Sequence, residues 1–414
     1  MNLLSGPHGA RKIDRLERVR GLAALRDGYQ MMPRRFVAID SLRGICAIIV
    51  AVYHFSSNSI LAALPFIKNG FLFVDFFFVL SGFVIASSYG DKLRTGFSIP
   101  QFMFLRLGRL YPLHLFVICL YLPIAAMGGY SWSGLWITAA LLQAFSDGNL
   151  GNWNPPSWSI SAEVLTYLVF AFACRIPGRL FYYVLAAPIV VAPPVLLVVS
   201  DRYLDVCFEG ALLRCLFGFS MGVLAFEVWR RREGRMMSFR TSTLTECGVV
   251  AASLLIVAVA GAGPLSFLCP PMFVVAILVF AREGGAISAT LKHRSIALIG
   301  ALSYSIYMTH LFVQARLLNA IGFLAKHIWL PISKEAGGAQ TISSQIPLAA
   351  DAMVILMIAI VIGFAYLTFN LIEEPFRRWS RSVNFSTPAR AVDDELQSDF
   401  SRPPSHRGDV SPGI

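Results

Sequence analysis

Long apolar runs with no polar break govern what this chain can fold into. Residues 46–52 (CAIIVAV) and 353–364 (MVILMIAIVIGF) carry no polar side chain. A helix or strand half-exposed to water needs a polar face, and these runs have none. A membrane-spanning helix needs ~20 mainly apolar residues. Stretches of that kind recur at 37–57, 70–89, 104–126, 157–174, 180–200, 211–229, 243–261, 266–281, 296–315 and 349–371. Barrel strands alternate apolar and polar residues, so an outer-membrane barrel is excluded. Composition agrees: 56% of the 414 residues are hydrophobic and 14% charged, against ~25% charged in soluble domains. The expected fold class is an all-α membrane protein.

The net charge is +11. In a soluble chain that would raise nucleic-acid binding; in a membrane protein it raises the question of sidedness, and no nucleic-acid partner is expected. With the N-terminus in the cytoplasm, 25 of the 35 Lys and Arg fall on cytoplasmic flanks and six on the opposite side. Parity then places a constraint on the apolar stretch 133–145. The span before it exits outside, and the span 157–174 must enter from outside to put Arg175 and Arg179 inside. The stretch between begins and ends on one side, so a re-entrant or surface-lying segment is expected, with its backbone satisfied by protein or water. About ten transmembrane helices plus one re-entrant segment put both termini in the cytoplasm.

Residues 1–35 are polar and basic, with no apolar core behind a short n-region, so a cleaved signal peptide is not expected. Residues 36–379 form the transmembrane domain. Residues 380–414 turn polar and rich in Ser, Pro and Asp, and read as a disordered cytoplasmic tail. The seven cysteines show no CxxC or metal spacing and read as small buried apolar residues. Pro188, Pro193 and Pro194 predict a kinked or broken span over 180–200.

Ionisable groups within spans are costly and are functional candidates by default. The first span carries Asp40, Arg43 and His54. Arg43 and His54 are eleven apart, which leaves them within about 20° of one helix face and about 16 Å apart along the axis. Asp40 lies three residues before Arg43, in place to pair with it. Asp75 falls in a Phe-rich run where an unpaired acid is expensive, and orienting His54 or a substrate hydroxyl would explain it. Arg106 and Arg109 share a helix face at a span start, where they suit either phosphate clamping or positive-inside anchoring. Glu163 follows two prolines and a serine-rich turn, so helix capping is an alternative to an acid's role there. Ser81 lacks a G-x-S-x-G elbow, and Gly82 beside it favours close helix packing. Tyr304, Tyr307 and His310 form a loose stripe that fits a cavity wall or packing alike. His54, His114 and His310 sit on separate spans without ligand spacing, so no metal site is expected.

The run FVAIDSLRGICAIIVAVYHF (36–55) resembles the first helix of the acyltransferase 3 family, membrane O-acyltransferases that modify surface carbohydrates and related acceptors. In that family an Arg or Lys precedes a catalytic His by eleven positions, as Arg43 precedes His54. GFLFVDFFFVLSGFVIASSY (70–89) resembles the second helix, with Asp75 and the Ser81-Gly82 pair. FLRLGRLYPLH (104–114) is similar to its Arg-x-x-Arg motif. NPPSWSISAEVLTYLVF (154–170) is similar to its Ser-Trp-Ser-x-Ser-x-Glu stretch, with Trp158 and Glu163. SYSIYMTHLFV (303–313) and IEEPFRRW (372–379) resemble its late helices.

The resemblance implies an O-acetyltransferase of a bacterial inner membrane, with acyl-CoA (acetyl-CoA above all) as donor substrate and no tightly bound cofactor. The acceptor is a hydroxyl of a carbohydrate or glycolipid. It implies His54, Asp75 and Glu163 as catalytic and Arg43, Arg106 and Arg109 as donor-binding. Asp40, Ser81, Trp158, Tyr304 and His310 are substrate-cavity candidates. Many relatives carry an appended extracytoplasmic esterase-like domain; here transfer is expected within the membrane domain or with a separate extracytoplasmic partner. The rival is a transporter or flippase, since intramembrane charges and proline-interrupted spans also occur there.

Overall fold

A computed structural model describes residues 36–127, 132–146, 153–232, 237–328, 333–336, 339–342, 348–383 and 385. The basic segment 1–35 and residues 386–414 of the expected tail lie outside the described residues. Eight helical stretches are long and apolar enough to cross a membrane. They are α1 (Val37–His54), α2 (Gly70–Arg94), α3 (Ile99–Ala126), α6 (Leu180–Val199), α7 (Ala211–Arg231), α8 (Phe239–Ala260), α10 (Arg294–Ile328) and α11 (Ala349–Ser382). Two of the ten expected spans are shorter helices that fall below that length, α5 (Trp158–Ala173) and α9 (Pro264–Phe280). The chain is thus an all-α membrane protein. Its β structure among the described residues is one short antiparallel hairpin, Ser333–Ala336 with Ala339–Ile342, between α10 and α11.

Local chemistry sets several helix starts. Ser98 and Ser238 cap α3 and α8 by accepting from Gln101 N and Thr241 N. Prolines 155 and 156 precede α5, and Pro264, Pro270 and Pro271 fill the first turns of α9, where a missing N–H costs nothing. The prolines of α6 do not break it: the helix runs through Pro188, Pro193 and Pro194 to Val199. In apolar surroundings a backbone that leaves the helix finds no water to replace its hydrogen bonds.

The apolar stretch before α5 folds back as expected. Its helix, α4 (Trp132–Ala139), has eight residues, about 12 Å at 1.5 Å per residue and far short of the ~30 Å hydrocarbon core. The chain then turns through Leu141 at φ 55° into a 3-10 turn at Gln143–Phe145. Neighbouring side chains satisfy the irregular backbone. Tyr111 donates to Ala139 O at 2.9 Å, and Ser161 donates to Leu141 O at 2.6 Å while accepting from Ala144 N. His114 Nε2 lies 2.8 Å from Thr138 O, so this histidine serves the reversal.

Two helix pairs hold the centre, and each meets backbone to backbone. Where α1 crosses α10, a Cβ on Gly44 would lie 2.6 Å from the Ile299 carbonyl, and one on Gly300 would lie 2.5 Å from Asp40 O. Where α2 crosses α7, a Cβ on Gly82 would overlap the Phe219 carbonyl oxygen, and one on Gly222 that of Val79. Small residues allow this approach in a membrane, where burial of apolar surface offers no drive between helices. Large apolar side chains such as Val190, Val198, Leu244 and Leu371 remain exposed around the perimeter. Lipid serves them as solvent, and the same holds for Cys119 and Cys247, which are exposed rather than buried.

Candidate active site

Five helices direct polar side chains into one cavity of about 90 Å³. Arg43 comes from α1, Ser81 from α2, Arg106 and Arg109 from α3, Glu163 and Tyr167 from α5, and Ser303, Tyr304 and Tyr307 from α10. The α1–α10 crossing places Arg43 beside Ser303: its Nε donates to Ser303 Oγ at 2.7 Å and its Nη2 to Gly300 O at 3.3 Å. Asp40 Oδ1 lies 3.7 Å from the same guanidinium.

Glu163 is held by neighbours. Ser81 Oγ and Tyr167 Oη, the latter at 2.5 Å, both donate to its Oε1. Arg106 Nη2 donates to Tyr167 Oη at 3.2 Å, with its guanidinium 5.0 Å from that ring's centroid. Glu163 lies beyond the first turn of α5, so the capping alternative does not apply. Arg109 differs from the other two arginines. It makes no hydrogen bond or ion pair among the described residues, and its Nε is buried without a partner. The lining thus carries three guanidiniums against one carboxylate.

On α10, Ser303 lies at the level of Arg43, while His310 lies two turns on at the level of His54. His310 Nε2 is 3.3 Å from His54 Nδ1, and the ring centroids are 5.1 Å apart. Tyr307 stands between the two levels. It lines the cavity, meets Phe77 edge-on at 5.6 Å, and lies 5.8 Å from the His310 ring. The arginine cavity and the histidine pair therefore lie at successive levels along α1 and α10.

A family model described as an acyltransferase domain, that of acyltransferase 3, matches residues 36–369. The chain belongs to that family. It is similar over most of its length to the acyltransferase MdmB of Streptomyces mycarofaciens, with 28% identity over 394 residues, 84% of this chain and 94% of that protein. Protein 2 in the picA locus of Rhizobium radiobacter is 38% identical over 92 residues, 22% of this chain and 46% of that protein. The O-acetyltransferase OatA of Staphylococcus aureus is 36% identical over 92 residues, 22% of this chain and 14% of OatA. No solved structure matches the chain. The protein is a multi-pass membrane O-acyltransferase.

Within this acyltransferase the cavity unites Arg43, Ser81, Arg106, Arg109, Glu163 and Tyr304, whose hydroxyl donates to Leu110 O at 2.5 Å. It does not include Asp75, Trp158, Asp40, His54 or His310 among its lining. Asp75 does not orient His54. Both its oxygens go to Arg214, with Nε–Oδ1 2.9 Å and Nη2–Oδ2 2.7 Å, and both residues are fully buried. Trp158 packs against that pair, 5.4 Å from the Arg214 guanidinium. A carboxylate in apolar surroundings is tolerable when an opposite charge and directed donors meet it, which Arg214 supplies.

Sequence reasoning passed over Arg214, Tyr167 and Glu373. Arg214 lies inside an apolar run, where a charge is costly, and that position is the signal that marks it. Tyr167 sits four residues after Glu163, the spacing of helix neighbours. Glu373 lies on a π turn of α11, is buried, and accepts from Ser305 Oγ at 2.8 Å.

Proposed function

We propose that this acyltransferase takes an acetyl group from acetyl-CoA and passes it to a hydroxyl of a cell-surface or lipid-linked carbohydrate. The observation that carries the donor is the guanidinium set of the cavity, in which Arg109 Nε is buried without a partner among the described residues. Guanidinium forks match phosphate oxygens two by two. The charge bias supports a bacterial inner membrane with the start of α3 in the cytoplasm, where acyl-CoA is found. The name of OatA, an O-acetyltransferase, supports acetyl as the group, and the carbohydrate acceptor is what the resemblance to the family implies.

In this reading the acceptor oxygen attacks the thioester carbonyl, the C–S bond breaks and an ester forms. His54 takes the hydroxyl proton and returns it to the departing thiolate. Comparing acceptor glycans by mass spectrometry tests the reading, using strains that lack the gene or express the parent or the His54→Ala variant. The acetyl increment is expected with the parent alone, at equal membrane levels of the two proteins. Acetylation at parent level with His54→Ala removes His54 from the chemistry, and an unchanged glycan spectrum without the gene removes the carbohydrate acceptor.

A further inference from the structure

We infer that His310 is the positioning partner of His54, orienting its ring and stabilising the charge it gains. The inference rests on the reading of His54 as the base. His54 Nδ1 lies 2.9 Å from Val50 O. A carbonyl oxygen only accepts, so Nδ1 carries the proton. His310 Nδ1 lies 2.6 Å from Tyr307 O, and the same argument puts its proton there too. His310 Nε2 is then a lone pair, and it stands 3.3 Å from His54 Nδ1. The His54 N–H is thus shared between two acceptors, the Val50 carbonyl and the His310 ring.

This assignment leaves His54 Nε2 as its only basic atom, and that atom makes no hydrogen bond among the described residues. His54 is exposed at the end of α1, whereas His310 is fully buried. Accepting a hydroxyl proton at Nε2 turns His54 into an imidazolium. Its Nδ1–H then becomes a charge-assisted donor to His310 Nε2 and Val50 O. The arrangement repeats the orienting logic of a Ser-His-Asp triad, with a neutral imidazole where that triad has a carboxylate. Asp75 is not available for the task, because Arg214 occupies both its oxygens. The Tyr53 ring meets His54 edge-on at 4.7 Å.

The test uses the full chain in native membrane vesicles, which supply the acceptor, with radiolabelled acetyl-CoA as probe. His310→Phe keeps a ring and removes the acceptor atom; His310→Gln restores an acceptor oxygen near the Nε2 position. A hydrogen bond to a charged group has a net effect of roughly 10–100-fold. His310→Phe is therefore expected to lower kcat by about that factor, with KM for acetyl-CoA within about twofold, and His310→Gln to recover most of the loss. Equal kcat for His310→Phe and the parent overturns the inference, and so do equal losses in both variants. The His54→Ala control separates the two levels: activity there sinks the underlying reading, whereas a dead His54→Ala beside an unaffected His310→Phe sinks the pairing alone. Nitrogen-15 NMR of the histidine-labelled parent in bilayers gives a measurement independent of any His310 variant. The resonances lost in His54→Ala should report a neutral ring protonated at Nδ1; a ring protonated at Nε2 refutes the inference.

Discussion

Substituting Asp75→Asn asks whether this acid serves the fold or the chemistry. The pair with Arg214 is fully buried, with exposures of 0% and 1% and two bonds of 2.9 and 2.7 Å. Neutralising the carboxylate leaves a guanidinium out of water without its counter-charge. Breaking a buried pair in this way costs about 3–5 kcal/mol, roughly a 100- to 4,000-fold loss in the folded-to-unfolded ratio at ~1.4 kcal/mol per tenfold. Replacing both residues instead, Asp75→Leu with Arg214→Met, removes both charges and leaves no buried amide without a partner. What remains is the loss of two donors, to Phe71 O at 3.0 Å and Val206 O at 3.2 Å, at about 1 kcal/mol each. The double variant is thus expected to be more stable than Asp75→Asn by about 1–3 kcal/mol. Heat denaturation in detergent, followed by size-exclusion chromatography of a fluorescent fusion, orders the variants. An Asp75→Asn protein as stable as the parent but unable to transfer would return the acid to the mechanism. A double variant no more stable than the single would refute the pairing argument.

Arg109→Ala is expected to raise the acetyl-CoA concentration needed for half-maximal transfer by ~10–100-fold, because a charge-assisted bond to phosphate is lost. Arg109→Lys recovers part of it, since an ammonium cannot form the fork; unchanged donor dependence in vesicle assays returns Arg109 to an anchoring role. For topology, cysteines at Met127 and Ser146, in an otherwise cysteine-free chain, should both react with an impermeant thiol reagent on intact spheroplasts. Cysteines at Thr95 and Arg232 should react only after permeabilisation. Labelling of Met127 and Ser146 from opposite sides would make the α4 segment a true span and invert everything after it.

The sequence by itself determined the class of the protein, because runs such as 353–364 have no stable arrangement in water. It also located the apolar helices, eight of them among the described residues long enough to cross a membrane, because their signal is length and hydropathy, both local properties. The reversal at α4 followed from positive charges counted along the chain, and the structure fills it with an eight-residue helix whose following turns are tied by side chains. The shared face of Arg43 and His54 followed from helix geometry alone. The partners of the buried charges did not. Asp75 meets Arg214 from 139 positions away, Ser81 meets Glu163 across 82, and His54 meets His310 across 256. In water an amphipathic pattern tells which helix face turns inward. In a bilayer the lipid is as apolar as the core, so that pattern fades and the sequence carries little signal of which faces meet. Only the close helix crossings, α1 on α10 at Gly44 and α2 on α7 at Gly82, decide which polar side chains share a level. That is why the motif residues were legible one by one, while their pairings, and with them the separation of a structural ion pair from a histidine dyad, belong to the tertiary structure.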